Sequence, residues 1–176
     1  MKAIGSPSPR RNPVPNMALK SKNGILLSKA GHLCNSCCSG NFLTILYEWD
    51  SPAADLDTGT TFLGVVVGYA CGPNSGPYVP YIVLQSGDNT SYGPEHVDVM
   101  VREAHTAGAW VSSVEILCAA GWYTGNNGSG GARLRVTFNG VTQSIPIAPG
   151  NQGGCASTPV GRITVHDDWT FTLAAP

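Results

Sequence analysis

The chain has 176 residues, of which 42% are hydrophobic and only 12% charged, with 22 glycines, 13 prolines and a formal net charge of −1. This length suits one core of ordinary size, and the low charge leaves a surface built from Ser, Thr, Asn, Gly and backbone. No stretch approaches membrane-spanning length, and no apolar run follows the early basic residues, so the start does not read as a secretory signal.

Residues 1–41 read as an extended basic arm. Pro7, Pro9, Pro13 and Pro15 favour polyproline-like backbone that cannot close a core by itself. Lys2, Arg10, Arg11, Lys20, Lys22 and Lys29 meet no acid before Glu48, whereas eleven acids from Glu48 onward meet only Arg102, Arg133, Arg135 and Arg162. A basic arm on an acidic body can bind nucleic acid, a membrane surface or the acidic face of an identical neighbour. The arm holds no aromatic residue for base stacking, which argues against nucleic acid and for a neighbour. Arg10, Arg11, Lys20, Lys22 and Lys29 are its assembly contacts, and a short apolar strand, Gly24-Ile25-Leu26-Leu27, follows the proline-rich part.

Cys34, Cys37 and Cys38 cluster at the arm–body junction near His32, and Cys71, Cys118 and Cys155 are spread through the body. A zinc site would show a second paired half, which is missing. A thioredoxin-type motif would open a helix after a strand, which these flanks do not suggest. Disulfides suit the even number of cysteines, all six of them candidates, with the pairing left open among fifteen possibilities.

The body, residues 42–176, opens on an apolar strand at 42–49 and then the run Trp49-Asp50-Ser51-Pro52-Ala53-Ala54-Asp55-Leu56-Asp57. Asp50, Asp55 and Asp57 would repel one another unless a cation, backbone N–H groups or solvent absorbs the charge. Calcium, with its demand for six to eight oxygens, is one reading. An Asx-rich turn that caps its own backbone is the other, and the simpler. Further strands are expected at 61–70, 78–85, 96–102, 109–118, 132–138, 141–147, 160–165 and 169–173, separated by Gly-, Pro- and Asn-rich turns. Asn139-Gly140 is the best hairpin signal, since a type I′ turn needs positive φ at both positions. With no convincing helical periodicity, the fold expected is all-β: a two-sheet antiparallel β-sandwich, jelly-roll-like, carrying an extended N-terminal arm.

The Trp-Asp and Asp-Leu-Asp elements, followed by Gly93-Pro94-Glu95 and the strand His96-Val97-Asp98-Val99-Met100-Val101, resemble the YfaP-type family of bacterial β-sandwich domains over about residues 42–175. Thr58-Gly59-Thr60 departs from that pattern, and the resemblance implies fold more than activity. The opening from Met17 to Leu27, with Cys37-Cys38, is similar to small proteins encoded near bacteriophage tail and virion genes.

An enzyme reading finds little to hold. His96, His105 and His166 sit in no nucleophile elbow or metalloprotease motif, and Glu95 beside His96 or Asp167-Asp168 beside His166 read as turn residues. Trp49 and Trp110 lie in apolar strands and read as core. Trp122 and Tyr123, beside a glycine-rich loop, are the candidates for surface or carbohydrate contact. The expectation is a non-enzymatic structural subunit of an extracellular fibre or virion, partnered by itself or by other virion proteins. The alternative is a calcium-dependent carbohydrate- or surface-binding module with a glycan as partner.

Overall fold

A computed structural model describes residues 42–50, 54–68, 78–86, 89–90, 93–124, 131–147 and 158–176. The chain divides into Met1–Cys37 and Cys38–Pro176, and every described residue belongs to the second unit. The arm, with Arg10, Arg11, Lys20, Lys22 and Lys29, and the cysteines Cys34, Cys37, Cys38, Cys71 and Cys155 lie outside the described residues.

Eleven strands and one short helix are described: β1 (Leu43–Trp49), β2 (Asp55–Phe62), β3 (Val65–Gly68), β4 (Tyr78–Val79), β5 (Ile82–Leu84), β6 (Glu95–Val99), α1 (Val101–Thr106), β7 (Ser113–Thr124), β8 (Ala132–Phe138), β9 (Val141–Ile147), β10 (Thr158–His166) and β11 (Phe171–Ala174). They form an all-β sandwich of two antiparallel sheets. The first has the order β4-β5-β6-β1-β8-β9 and the second β11-β10-β7-β2-β3. Alternation builds the core between them: Leu43, Ile45, Tyr47 and Trp49 of β1 point inward, as do Ile116, Cys118, Ala120 and Trp122 of β7 and Ile163 and Val165 of β10.

The β8–β9 strands occur as expected, and their turn takes the type I′ form, with φ of 50° at Asn139 and 76° at Gly140. Elsewhere the boundaries move. The expected strand at 61–70 is a hairpin whose turn, Leu63-Gly64, has φ of 51° and 78°, so the strand before it reaches back to Asp55. The run at 78–85 breaks at Tyr81, whose φ is 69°. The run at 96–102 ends at Val99 and turns into α1, because Val101 and Ala104, three apart, bury one face of a helical turn rich in good helix formers.

Candidate functional site

The best-defined polar constellation lies between the sheets. Glu95 opens β6 and is fully buried, as are Thr58 and Thr60 of β2. Tyr47 and Glu95 are paired across β1 and β6, and Thr60 and Cys118 across β2 and β7. The Thr58 hydroxyl donates to Glu95 Oε2. The Tyr47 hydroxyl donates to the Gly59 carbonyl at 3.2 Å and shares a 2.7 Å hydrogen bond with Thr60 Oγ1. Side chains of both sheets thus satisfy one another in the interior, where an unpaired polar group would be costly. Burial first, then the neighbouring Cys118 and Glu95, push the Tyr47 phenol well above its usual value. Burial likewise pushes the Cys118 thiol up to about 12.

The three motif elements meet beside this cluster. Trp49 Nε1 donates to the Ala54 carbonyl at 2.9 Å, fastening the acidic run to the end of β1. Gly93 N donates to the Trp49 carbonyl at 3.3 Å, and a Cβ at Gly93 would lie 2.7 Å from the indole, so the ring needs a glycine there. The Gly93–Pro94 bond is cis, and the next residue, Glu95, receives the Thr58 hydroxyl one position after Asp57. Trp49-Asp50, Asp55-Leu56-Asp57 and Gly93-Pro94-Glu95 therefore meet in one structural knot, with Trp49, Leu56, Asp55 and Glu95 buried in it.

The geometry places the three acids of the calcium reading in different settings. Asp50 is exposed past the end of β1, Asp55 is buried in β2 and Asp57 is half-buried in the same strand. No three His, Cys, Asp or Glu residues among those described are placed to hold a metal. Asp55 and Asp57 are ladder residues opposite Thr124 and Gly121, with an irregularity after Asp55, so strand pairing organises this part of the run. Cys118 is corrected as a disulfide candidate: it is a free, buried thiol beside Tyr47.

The aromatic pair separates. Trp122 points into the core with 2% of its surface exposed and Tyr123, on the opposite face of the strand, is 60% exposed. Trp122 therefore offers no stacking face to a glycan, because alternation in a strand turns adjacent residues to opposite sides. Its Nε1 has no hydrogen-bond partner among the described residues, and it lines a shallow depression with Leu56, Ile147, Thr158 and Val160.

Two outer clusters escaped the sequence reading. On the first sheet Asp98 accepts from Thr44 Oγ1 at 2.8 Å and Gln85 Nε2 at 3.0 Å, and pairs with His96 Nε2 at 2.9 Å. The His96–Asp98 alternation was the one available signal, since residues two apart share a strand face. At one end of the sandwich Arg102 lies over the rings of Trp169 and Phe138, 4.3 and 5.5 Å from their centroids, and donates to Asn139 Oδ1 at 2.8 Å. His105 packs edge-on between Trp110 and Trp169. Asp168 accepts from the Thr170 N–H and hydroxyl, an Asx-type turn that accounts for it without catalysis.

Among the described residues no helix is long and apolar enough to cross a membrane, which leaves strands aside. The chain matches no family model, no curated protein and no solved structure.

Proposed function

We propose that this chain is a non-enzymatic structural subunit of an extracellular fibre or virion, and that its basic arm, residues 1–41, lies on a neighbouring copy. The observation that carries this reading is how the body uses its charges. Arg133 and Arg135 both engage Glu48, Arg162 engages Glu115, and Arg102 is held by Asn139 and two rings. Asp50, Glu103 and Asp167 are exposed and make no ion pair among the described residues. The body's cations are thus engaged within the body while these three exposed acids make no ion pair among the described residues, and the six basic residues of an acid-free arm supply the complement. The resemblances to YfaP-type sandwiches and to small phage virion proteins agree with such a role.

Deleting residues 1–40 tests it. The shortened chain keeps every strand described above and is expected to stay folded and soluble. Assemblies of native size should disappear from electron micrographs and sedimentation profiles. Particles of native size built from the shortened chain would overturn the proposal.

A further inference from the structure

The sandwich has four edge strands, and they are not equivalent. On β3, Val66 and Gly68 are engaged in further interactions. β4 is only two residues long. On β11, the Gln143 side chain closes the edge by donating to the Phe171 carbonyl at 3.2 Å and accepting from the Leu173 N–H at 3.0 Å. β9, Val141–Ile147, is the longest edge at seven residues. Its hairpin turn makes Phe138 and Val141 a hydrogen-bonded closing pair, so by alternation Val141, Gln143, Ile145 and Ile147 bond β8. The N–H and C=O groups of Thr142 and Ser144, and the carbonyl of Pro146, then point away from the sheet. Among the described residues nothing accepts or donates to these backbone groups.

β9 also lacks most of the usual protection of an edge. It carries no charge and no bulge interrupts its pairing with β8; its one edge-blunting residue, Pro146, stands at an outward position near the end of the strand and leaves Thr142 and Ser144 open. We infer that β9 is a self-pairing edge that docks antiparallel on β9 of a second copy, across a two-fold axis at Gln143. The register follows from the residues. Centred on Gln143, Thr142 lies opposite Ser144 of the second copy, and the two exchange both backbone hydrogen bonds. The two-fold repeats this pair, giving four bonds, none of which needs the missing N–H of Pro146. On the inner face the same register sets Val141, 53% exposed in the isolated body, against the half-buried Ile145 of the second copy. The contact continues the six-stranded sheet into a twelve-stranded one. It deepens the assembly reading but stands apart from the arm, because it is neutral, symmetric and stops at a dimer.

The test uses the full chain in sedimentation at about 0.5 M salt, where charge contacts of the arm are screened and neutral edge bonds are not. A dimer is expected, and Ser144→Pro, which removes an outward N–H and none that bonds β8, should raise its dissociation constant by about tenfold or more. A second pair of variants guards against misfolding. Thr142→Lys with Ser144→Lys, and Thr142→Glu with Ser144→Glu, should each be monomeric alone at low salt and dimerise when mixed. A wild-type chain that stays monomeric at about 100 µM would overturn the inference. So would a Ser144→Pro chain that is folded and dimerises unchanged, or charged variants that fail to prefer each other. If arm deletion leaves native-size particles while the β9 variants abolish the dimer, the arm reading fails and the edge survives; the converse result separates them equally well.

Discussion

Cys118 shows how much a single residue's chemistry depends on its surroundings. With its thiol pushed up to about 12 by burial, it holds almost no thiolate at neutral pH, and the thiolate is the reactive form. Thiol reagents at pH 8 are expected to leave Cys118 unlabelled in the native protein and to label it after denaturation, which peptide mass spectrometry resolves. The linkage has a definite sign. A group whose folded pKa is raised contributes stability that is present below its unfolded value, near 8.5 for a thiol, and is lost as pH rises toward the folded one. Cys118 and Tyr47 therefore both draw the protein toward alkaline unfolding, and Cys118→Ser is expected to blunt the loss between about pH 9 and 12.

Asp98 works in the opposite direction. Burial by itself would raise its carboxyl, but the hydrogen bond and charge of His96, with the bonds from Thr44 and Gln85, outweigh it and hold the carboxyl below its usual value. A depressed carboxylate contributes stability above its unfolded value of about 4, and that contribution is lost as pH falls through the folded one. Asp98→Ala leaves three donors facing an empty site and is expected to cost about 1–3 kcal/mol at pH 7. Urea melts at pH 7 and pH 3 check both points: the difference between wild type and variant should shrink at the lower pH.

At the scale of elements, the meeting of β1, β2 and β6 fixes residue identity at Gly93. Gly93→Ala would press a methyl group into the Trp49 ring and backbone, and overpacking of this kind costs about 1–3 kcal/mol. A lower melting temperature with an unchanged far-ultraviolet spectrum would show that the knot, and not the whole sheet, had been disturbed. Asp55 and Asp57 belong to β2 and pair with β7, and if strand pairing alone organises them the melting temperature should be the same in chelator and in millimolar calcium. A rise that follows the logarithm of calcium concentration would contradict this placement. The β8–β9 hairpin was legible from two residues, because positive φ at Asn139 and Gly140 is a local demand that few residue types meet. The break at Tyr81 was only half legible: Pro80 favours the first central position of a turn, but a bulky residue at a φ of 69° is not announced by its type and packs against the core.

At the scale of the whole molecule, the division between a basic arm and an acidic body is a property of composition, and sequence reading reaches it directly. Period-two alternation and turn chemistry likewise determined that the body is all-β and organised in strands, since both act over a few residues. The sequence also placed Trp49 and Trp110 in apolar runs, and both side chains are buried. Only the tertiary structure decided which strands share a sheet, because pairing joins residues far apart: Tyr47 meets Glu95, and Asp57 meets Gly121. It decided that Trp122 faces the core and Tyr123 the solvent, since alternation separates the two but sheet packing chooses the inner side. It put Asp55-Leu56-Asp57 of the acidic run in a strand by setting the hairpin at Leu63-Gly64, and it buried Glu95 against Thr58. Local rules specify periods and turns; register and the inward face depend on contacts across dozens of residues, which no short window of the chain contains.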